Sequence, residues 1–333
     1  MNSRDLLRKT LTFDSPRRVP RDLWLLPWAN KHYPDRVAQI QQRFPNDIAG
    51  APVKLARPLV TRGDPYLVGE YTDEWGCTFI NIQEGVIGEV KNPLVRTWAD
   101  LERVKPPLDA FSFDVELVNA FCRQSDKFVT GGCCPRPFER MQFLRGSYNL
   151  YLDLADPSPE FYELLERVHG FYLNELERWA QTEVDGLTFM DDWGSQRSLL
   201  ISPAQWRKTF KPLYKDYIDL AHQSGKFILM HSDGYTFDIM GDLIELGLDA
   251  LNSQLFCMDI EEIGRKFAGK LTFWGEIDRQ HLLPYASTEE IAQAVQRVRQ
   301  ALYHQGGVIA QCEFGAGANP DNVEMVFQAW DNL

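Results

Sequence analysis

The sequence predicts an α/β chain folded as a (β/α)8 TIM barrel with one insertion in its N-terminal half. Three observations carry that expectation. Eight short apolar runs follow one another along the chain. Amphipathic stretches with helix-start signals separate the later runs. The length, 333 residues, suits one such barrel with added loops.

Taken in order, the first three strand candidates are Leu23-Trp24-Leu25-Leu26-Pro27, Asp47-Ile48-Ala49-Gly50 and Phe128-Val129-Thr130-Gly131. Between the second and third, residues 51–107 read as an insertion holding a β-hairpin around 73–90, with turn signals at Gln83-Glu84-Gly85. The five stronger runs span residues 186–191, 226–231, 250–254, 271–276 and 308–312. Ser202-Pro203-Ala204-Gln205 combines an N-cap Ser, a Pro at the first helical position and a capping-box Gln. Ser287-Thr288-Glu289-Glu290 is a second capping box, opening a helix that runs towards Gly306-Gly307. Gly225 and Gly247 mark helix stops before the next strands. No internal repeat, low-complexity tract or linker interrupts the chain, so residues 1–333 are expected to form a single domain.

The composition, 44% hydrophobic and 25% charged, is that of a globular chain able to bury a core without disulfides or metal staples. Acidic residues outnumber basic ones by 47 to 35, which argues against a nucleic-acid surface. No apolar run approaches the roughly 18–20 residues of a membrane span, and Met1-Asn2-Ser3-Arg4-Asp5 lacks the apolar segment of a secretory signal. The six cysteines form no CxxC pair and no disulfide-like framework. The expectation is a cytoplasmic protein with no nucleic-acid or membrane partner.

Barrel enzymes carry their chemistry at the C-terminal ends of the strands. Those ends read Asp191-Asp192-Trp193, His231-Ser232-Asp233-Gly234, Asn252-Ser253-Gln254, Glu276-Ile277-Asp278 and Cys312-Glu313. An imidazole, a thiol and several carboxylates converging on one mouth are metal-ligand types. Taken singly, each has a plainer role. A strand-end His is commonly a hydrogen-bonded structural residue, a Cys an inert buried thiol, and an Asp pair a turn cap. Their joint occurrence at one end of successive strands is what points to a site. Gly315-Ala316-Gly317-Ala318-Asn319 lacks the third Gly of a dinucleotide loop. Cys133 and Cys134 are vicinal and are expected to pack or to line the mouth. Trp24 and Trp28 could wall a large apolar ligand.

Several short motifs, in order, carry a wider resemblance: Arg18-Val-Pro-Arg-Asp-Leu-Trp24, Asp73-Glu-Trp-Gly76, Asp191-Asp-Trp-Gly-Ser-Gln196 with Ser202-Pro203, His231-Ser-Asp-Gly234, Gly275-Glu-Ile-Asp278 and Pro320-Asp-Asn322. The chain resembles the uroporphyrinogen decarboxylase superfamily, whose other main branch is the cobalamin-dependent methyltransferases. In the decarboxylases an Arg-Gln-Ala-Gly-Arg motif binds the substrate's carboxylates. Here that stretch is Pro27-Trp28-Ala29-Asn30-Lys31, the pocket Tyr falls near Gln142, and Gly-His-Gly becomes Gln311-Cys312-Glu313. Asp47 alone matches the Asp that receives the pyrrole N–H groups. A uroporphyrinogen decarboxylase is therefore the alternative, and a non-catalytic tetrapyrrole- or partner-binding barrel a third reading.

The methyltransferase branch is the closer match, and it implies a zinc site. His231 would stand for the His of a His-x-Cys pair, Asp233 for its Cys and Cys312 for the late Cys, with Glu276 or Glu313 as a possible extra ligand. Asp191, Asp192 and Glu276 are the expected catalytic residues. Trp24, Trp28, Asp47 and Gln254 are the expected substrate-binding residues. The implied reaction moves a methyl group between a small substrate, a methoxylated compound or a thiol, and the cobalt of a corrinoid. No Asp-x-His-x-x-Gly signature is present, so a separate corrinoid protein would be the partner. The resemblance also implies a possible homodimer.

Overall fold

The structure is a computed structural model that describes residues 1–108 and 111–333. Eleven strands are present among them: β1 (Arg21–Leu25), β2 (Ile48–Gly50), β3 (Gly69–Thr72), β4 (Thr78–Asn81), β5 (Glu89–Val90), β6 (Phe128–Gly131), β7 (Gly186–Met190), β8 (Phe227–Ser232), β9 (Ala250–Ser253), β10 (Thr272–Trp274) and β11 (Val308–Phe314). Eight of them form one sheet in the order β1-β11-β10-β9-β8-β7-β6-β2. Every ladder in this sheet is parallel. Its two outer strands, β1 and β2, are consecutive in the barrel series, so the sheet curls into a nearly closed (β/α)8 barrel. All eight expected runs became barrel strands.

The helix starts form where the caps lie. Ser202 and Ser287 each accept from the third residue of their helices, Pro203–Thr209 and Thr288–Leu302, and both boxes are reciprocal. Gly247, at φ +91°, closes Phe237–Leu246 in the left-handed conformation that a side chain would disfavour. No helix among the described residues is long and apolar enough to cross a membrane.

The insertion differs in detail from the expectation. It holds a three-stranded antiparallel sheet, β3-β4-β5, rather than one hairpin over 73–90. Asp73-Glu74-Trp75-Gly76 is its first turn, where the Asp73 carboxylate accepts from the N–H groups of Trp75 and Cys77. The signals at Gln83–Gly85 fall in the second turn, between β4 and β5. The sheet docks through aromatic edges, Phe79 on Phe143 and Trp75 on Phe171.

Two apolar layers follow from strand alternation. Inside the barrel pack Ile48, Phe128, Leu229, Ala250, Trp274 and Ile309, joined by Leu7 and Leu11 of the helix Ser3–Leu11. That helix contacts β2 and β6 and plugs the barrel's N-terminal end. The larger layer lies between strands and helices and includes Leu187, Met230, Leu251, Phe273 and Cys312. A plug below and solvent above leave the polar residues at the C-terminal strand ends as the barrel's wet face.

Candidate metal centre

Strand parity decides which strand-end groups meet. Leu229 faces the barrel interior, so His231, two residues on, faces it too. Ladder register sets Asn252 directly beside His231. Asn252 Oδ1 lies 2.6 Å from His231 Nδ1, and Asn252 Nδ2 donates to the carbonyl of Trp274. The second bond fixes the amide's orientation, so Oδ1 is an acceptor and Nδ1 carries the ring proton. His231 Nε2 then presents its lone pair to the mouth. There it lies 3.6 Å from Asp192 Oδ1 and 3.6 Å from Asp233 Oδ1.

One ligand atom from each of Asp192, His231 and Asp233 falls within 4.8 Å of the others. Asp233 Oδ1 is buried without a hydrogen-bond partner, a costly state for a carboxylate oxygen unless a cation or solvent meets it. Asp192 is held in place by the Asp233 N–H at 2.9 Å. Below them the Trp24 ring tilts against His231 with centroids 5.3 Å apart, and its indole N–H donates to Asp22. Trp24 is thus the floor of the centre.

A second ring of charge surrounds these three. Arg279 donates to Asp233 Oδ2, reaches Glu313 Oε2 at 3.2 Å and lies 3.6 Å from Glu276 Oε2. Burial pushes Glu276 up to about 8; Arg279 opposes the shift, while Asp233, Glu313 and Asp278 add to it. Burial also raises Asp192, with Asp233 adding to the effect, and it raises Glu313. Glu139 rises to about 7, first through burial and then through Asp192. Such a crowd of buried carboxyls favours a bound cation. The donor set fits a divalent metal: an imidazole nitrogen with a fixed tautomer and two carboxylates, one of which has a buried oxygen lacking a partner. Asp192, His231 and Asp233 would hold it; Glu313 lies outside that group and shares Arg279 with Asp233.

Four expected site residues stand elsewhere. Cys312 alternates with Glu313 on β11 and packs in the outer apolar layer. It faces the helices, outside the metal-ligand group, and burial pushes its thiol well up. Asp191 likewise points outward, accepting from the N–H groups of Phe138 and Glu139 and from the Tyr214 hydroxyl. It caps the helix Pro137–Arg145 from another element and does not reach the mouth. Asp47 precedes β2, at the barrel's N-terminal end. Ser3, both terminal nitrogens of Arg18 and the Arg21 N–H saturate it, so it is a structural tie. Trp28 stacks on His32 at the rim, centroids 4.5 Å apart.

Gln254 is at the mouth, where its Oε1 accepts from Gln196 at 3.0 Å and from the Gly234 N–H. Gln196, Gln254, Glu276 and Arg279 share a small cavity beside the centre. Arg279 and Glu139 were not expected from sequence. Arg279 follows Glu276 by three residues, a spacing that folds it back over that carboxylate, and this was the available signal. Glu139 had none, since only the tertiary fold brings it to Asp192.

No family model matches the sequence, and no curated protein matches it. Solved structures align with the chain. A methyltransferase from Methanosarcina mazei aligns at 14% identity over 100% of this chain and 99% of its own, with a TM-score of 0.70. An endo-β-1,4-xylanase from Gloeophyllum trabeum aligns at 12% identity over 96% and 98%, with a TM-score of 0.47. A B12-independent methionine synthase from Shewanella aligns at 11% identity over 94% of each chain, with a TM-score of 0.43. The first of these likenesses agrees with the (β/α)8 barrel along the whole chain.

Proposed function

We propose that the chain is a zinc-dependent methyltransferase that moves a methyl group between a small substrate and a corrinoid cobalt carried by a partner protein. The observation that carries this reading is the fixed tautomer of His231, which aims Nε2 at Asp192 and Asp233. The sequence motifs and the fold shared with a methyltransferase support it. Asp192, His231 and Asp233 would hold the metal, with Glu276 or Glu313 as the candidate for a further ligand. The bound metal supplies Lewis acidity at the substrate's oxygen or sulfur.

The chain's own residues do the rest. Glu276, which burial pushes up to about 8, would donate its proton to a departing oxygen. Arg279 holds Asp233 and Glu313 in a fixed arrangement. Gln254 and Gln196, bonded to each other, offer polar groups to orient the substrate. Trp24 closes the floor against water. The decarboxylase alternative loses its one matching residue, because Asp47 is consumed by Arg18 at the other end of the barrel.

The test is spectral. Zinc-loaded protein is mixed with methylcobalamin or reduced cobalamin and a panel of thiols and methoxylated compounds. The reading expects a cobalamin spectral change that requires one of these substrates and vanishes in His231→Ala. Absence of change across the panel, with zinc bound, would count against it.

A further inference from the structure

We propose that Asp22, inside the barrel beneath the metal centre, is a positioning residue that holds the His231 ring in its metal-binding orientation through Trp24 and Trp274. The proposal deepens the metal-centre reading by adding the support on which that imidazole stands. Only its zinc arm rests on that reading.

Leu23 belongs to the outer apolar layer, so alternation along β1 turns Asp22 and Trp24 into the barrel. Asp22 is 5% exposed there, and among the described residues it makes no ion pair. A carboxylate buried in such an interior is costly unless its oxygens are bonded. Oδ2 accepts from the indole N–H groups of Trp24 at 2.8 Å and Trp274 at 3.1 Å, and Oδ1 accepts from Asn46 at 2.9 Å. Burial still lifts this carboxyl to about 7 against both indole donors. An apolar side chain would fill the same space without that cost.

The two indoles belong to strands that are not neighbours. β11 separates β1 from β10 and sets Gln311 beside Asp22. Among the described residues neither polar atom of the Gln311 amide has a hydrogen-bond partner. Asp22 thus reaches across the intervening strand as the shared acceptor of both rings, which meet edge to face with centroids 5.3 Å apart.

Each indole leads to His231 by its own route. The Trp24 ring tilts against the imidazole, centroids 5.3 Å apart. The Trp274 carbonyl accepts from Asn252 Nδ2, and Asn252 Oδ1 accepts from His231 Nδ1. One route limits rotation of the ring and the other fixes its tautomer. Partners behind a metal-ligating histidine set its orientation and basicity. Asp22 stands one step further back and holds two such supports at once.

Nitrogen NMR of metal-free protein, isotope-labelled at its histidines, tests the arrangement without any metal. Signals absent from His231→Ala identify the ring in question. At about pH 8, above the ordinary histidine range, the wild type should show a single tautomer protonated at Nδ1. Asp22→Leu removes the acceptor and should give signals averaged over both tautomers. Asp22→Asn keeps an oxygen for the indoles, so it should keep the wild-type signature while melting lower through loss of the Asn46 bond. Zinc affinity, read by chelator competition, should fall about ten-fold in Asp22→Leu and stay within about three-fold of wild type in Asp22→Asn. Asp47→Ala, destabilised at the barrel's other end, controls for lost stability alone and should change neither readout. Thermal melts check folding. Should Asp22→Leu not fold, Trp24→Phe removes an indole donor while keeping a ring beside His231, and the same averaging is expected. Wild-type signals or wild-type zinc affinity in folded Asp22→Leu or Trp24→Phe would overturn the proposal. So would a lost signature in folded Asp22→Asn, or the same changes in Asp47→Ala. If the wild type binds no zinc, the metal reading fails while the nitrogen signals still decide this one.

Discussion

Asn252 Oδ1 accepts the Nδ1 proton of His231 at 2.6 Å, and this bond determines which imidazole nitrogen is offered to the mouth. Neighbouring parallel strands place the two residues side by side in register. Removing the amide should free the ring to rotate and to change tautomer. Asn252→Ala is expected to weaken metal affinity about 10–100-fold, the usual cost of losing such a supporting partner. Competition with a chromophoric chelator measures it, and unchanged affinity would show that the tautomer is set otherwise.

Asp192 and Cys312 give opposite expectations. Asp192→Asn removes a ligand and should abolish tight metal binding. Cys312→Ser leaves the centre intact and places a hydroxyl among apolar neighbours, so it should cost about 1–3 kcal/mol of stability with metal content unchanged. Metal analysis and denaturant melts of both variants separate the two effects. Loss of metal in Cys312→Ser would reverse the assignment.

Much of the site was legible because strand parity is simple. His231, Asp233 and Glu276 all sit at strand ends predicted from apolar runs. Cys312 was misplaced because β11 runs two residues further than the apolar run, to Phe314, so that Glu313 takes the inward position. Asp191 points outward by the same alternation, while Asp192, expected beside it as a catalytic residue, faces the mouth next to His231 and Asp233. Asp47 begins its strand, which already put it at the wrong end of the barrel. Arg279 and Glu139 depend on loops converging from distant parts of the chain, and no local pattern announces that.

Asp47→Ala should be a stability variant with no effect on the centre. It leaves Arg18, Ser3 and the Arg21 N–H without their shared acceptor. A loss of about 3 kcal/mol is expected from such a buried ion-paired network. Metal affinity of the remaining folded protein should be that of the wild type, as read by chelator competition below the unfolding transition.

Buried carboxyls should make the metal-free protein less stable as pH rises. Burial lifts Asp22 to about 7, against the Trp24 and Trp274 indole donors, and Glu276 to about 8. Unfolded carboxyls titrate near 4. Between about pH 4 and 8 the folded chain therefore holds more protons than the unfolded one. Stability is fullest below the unfolded value and is lost as pH climbs through the folded values, by up to about 1.4 kcal/mol per group for each pH unit climbed. Melts of stripped protein from pH 5 to 8 should show a falling Tm, and Glu276→Gln should flatten the fall. A Tm that rises over this range would contradict the assignment.

The central claim is that Asp192, His231 and Asp233 hold a metal ion. Zinc titration of stripped wild-type protein and His231→Ala, followed by elemental analysis after gel filtration, tests it most directly. The account predicts one tightly bound zinc per chain in the wild type and none in His231→Ala, with both proteins folded. A folded wild type that retains no zinc, or a His231→Ala variant that retains it, would contradict the account.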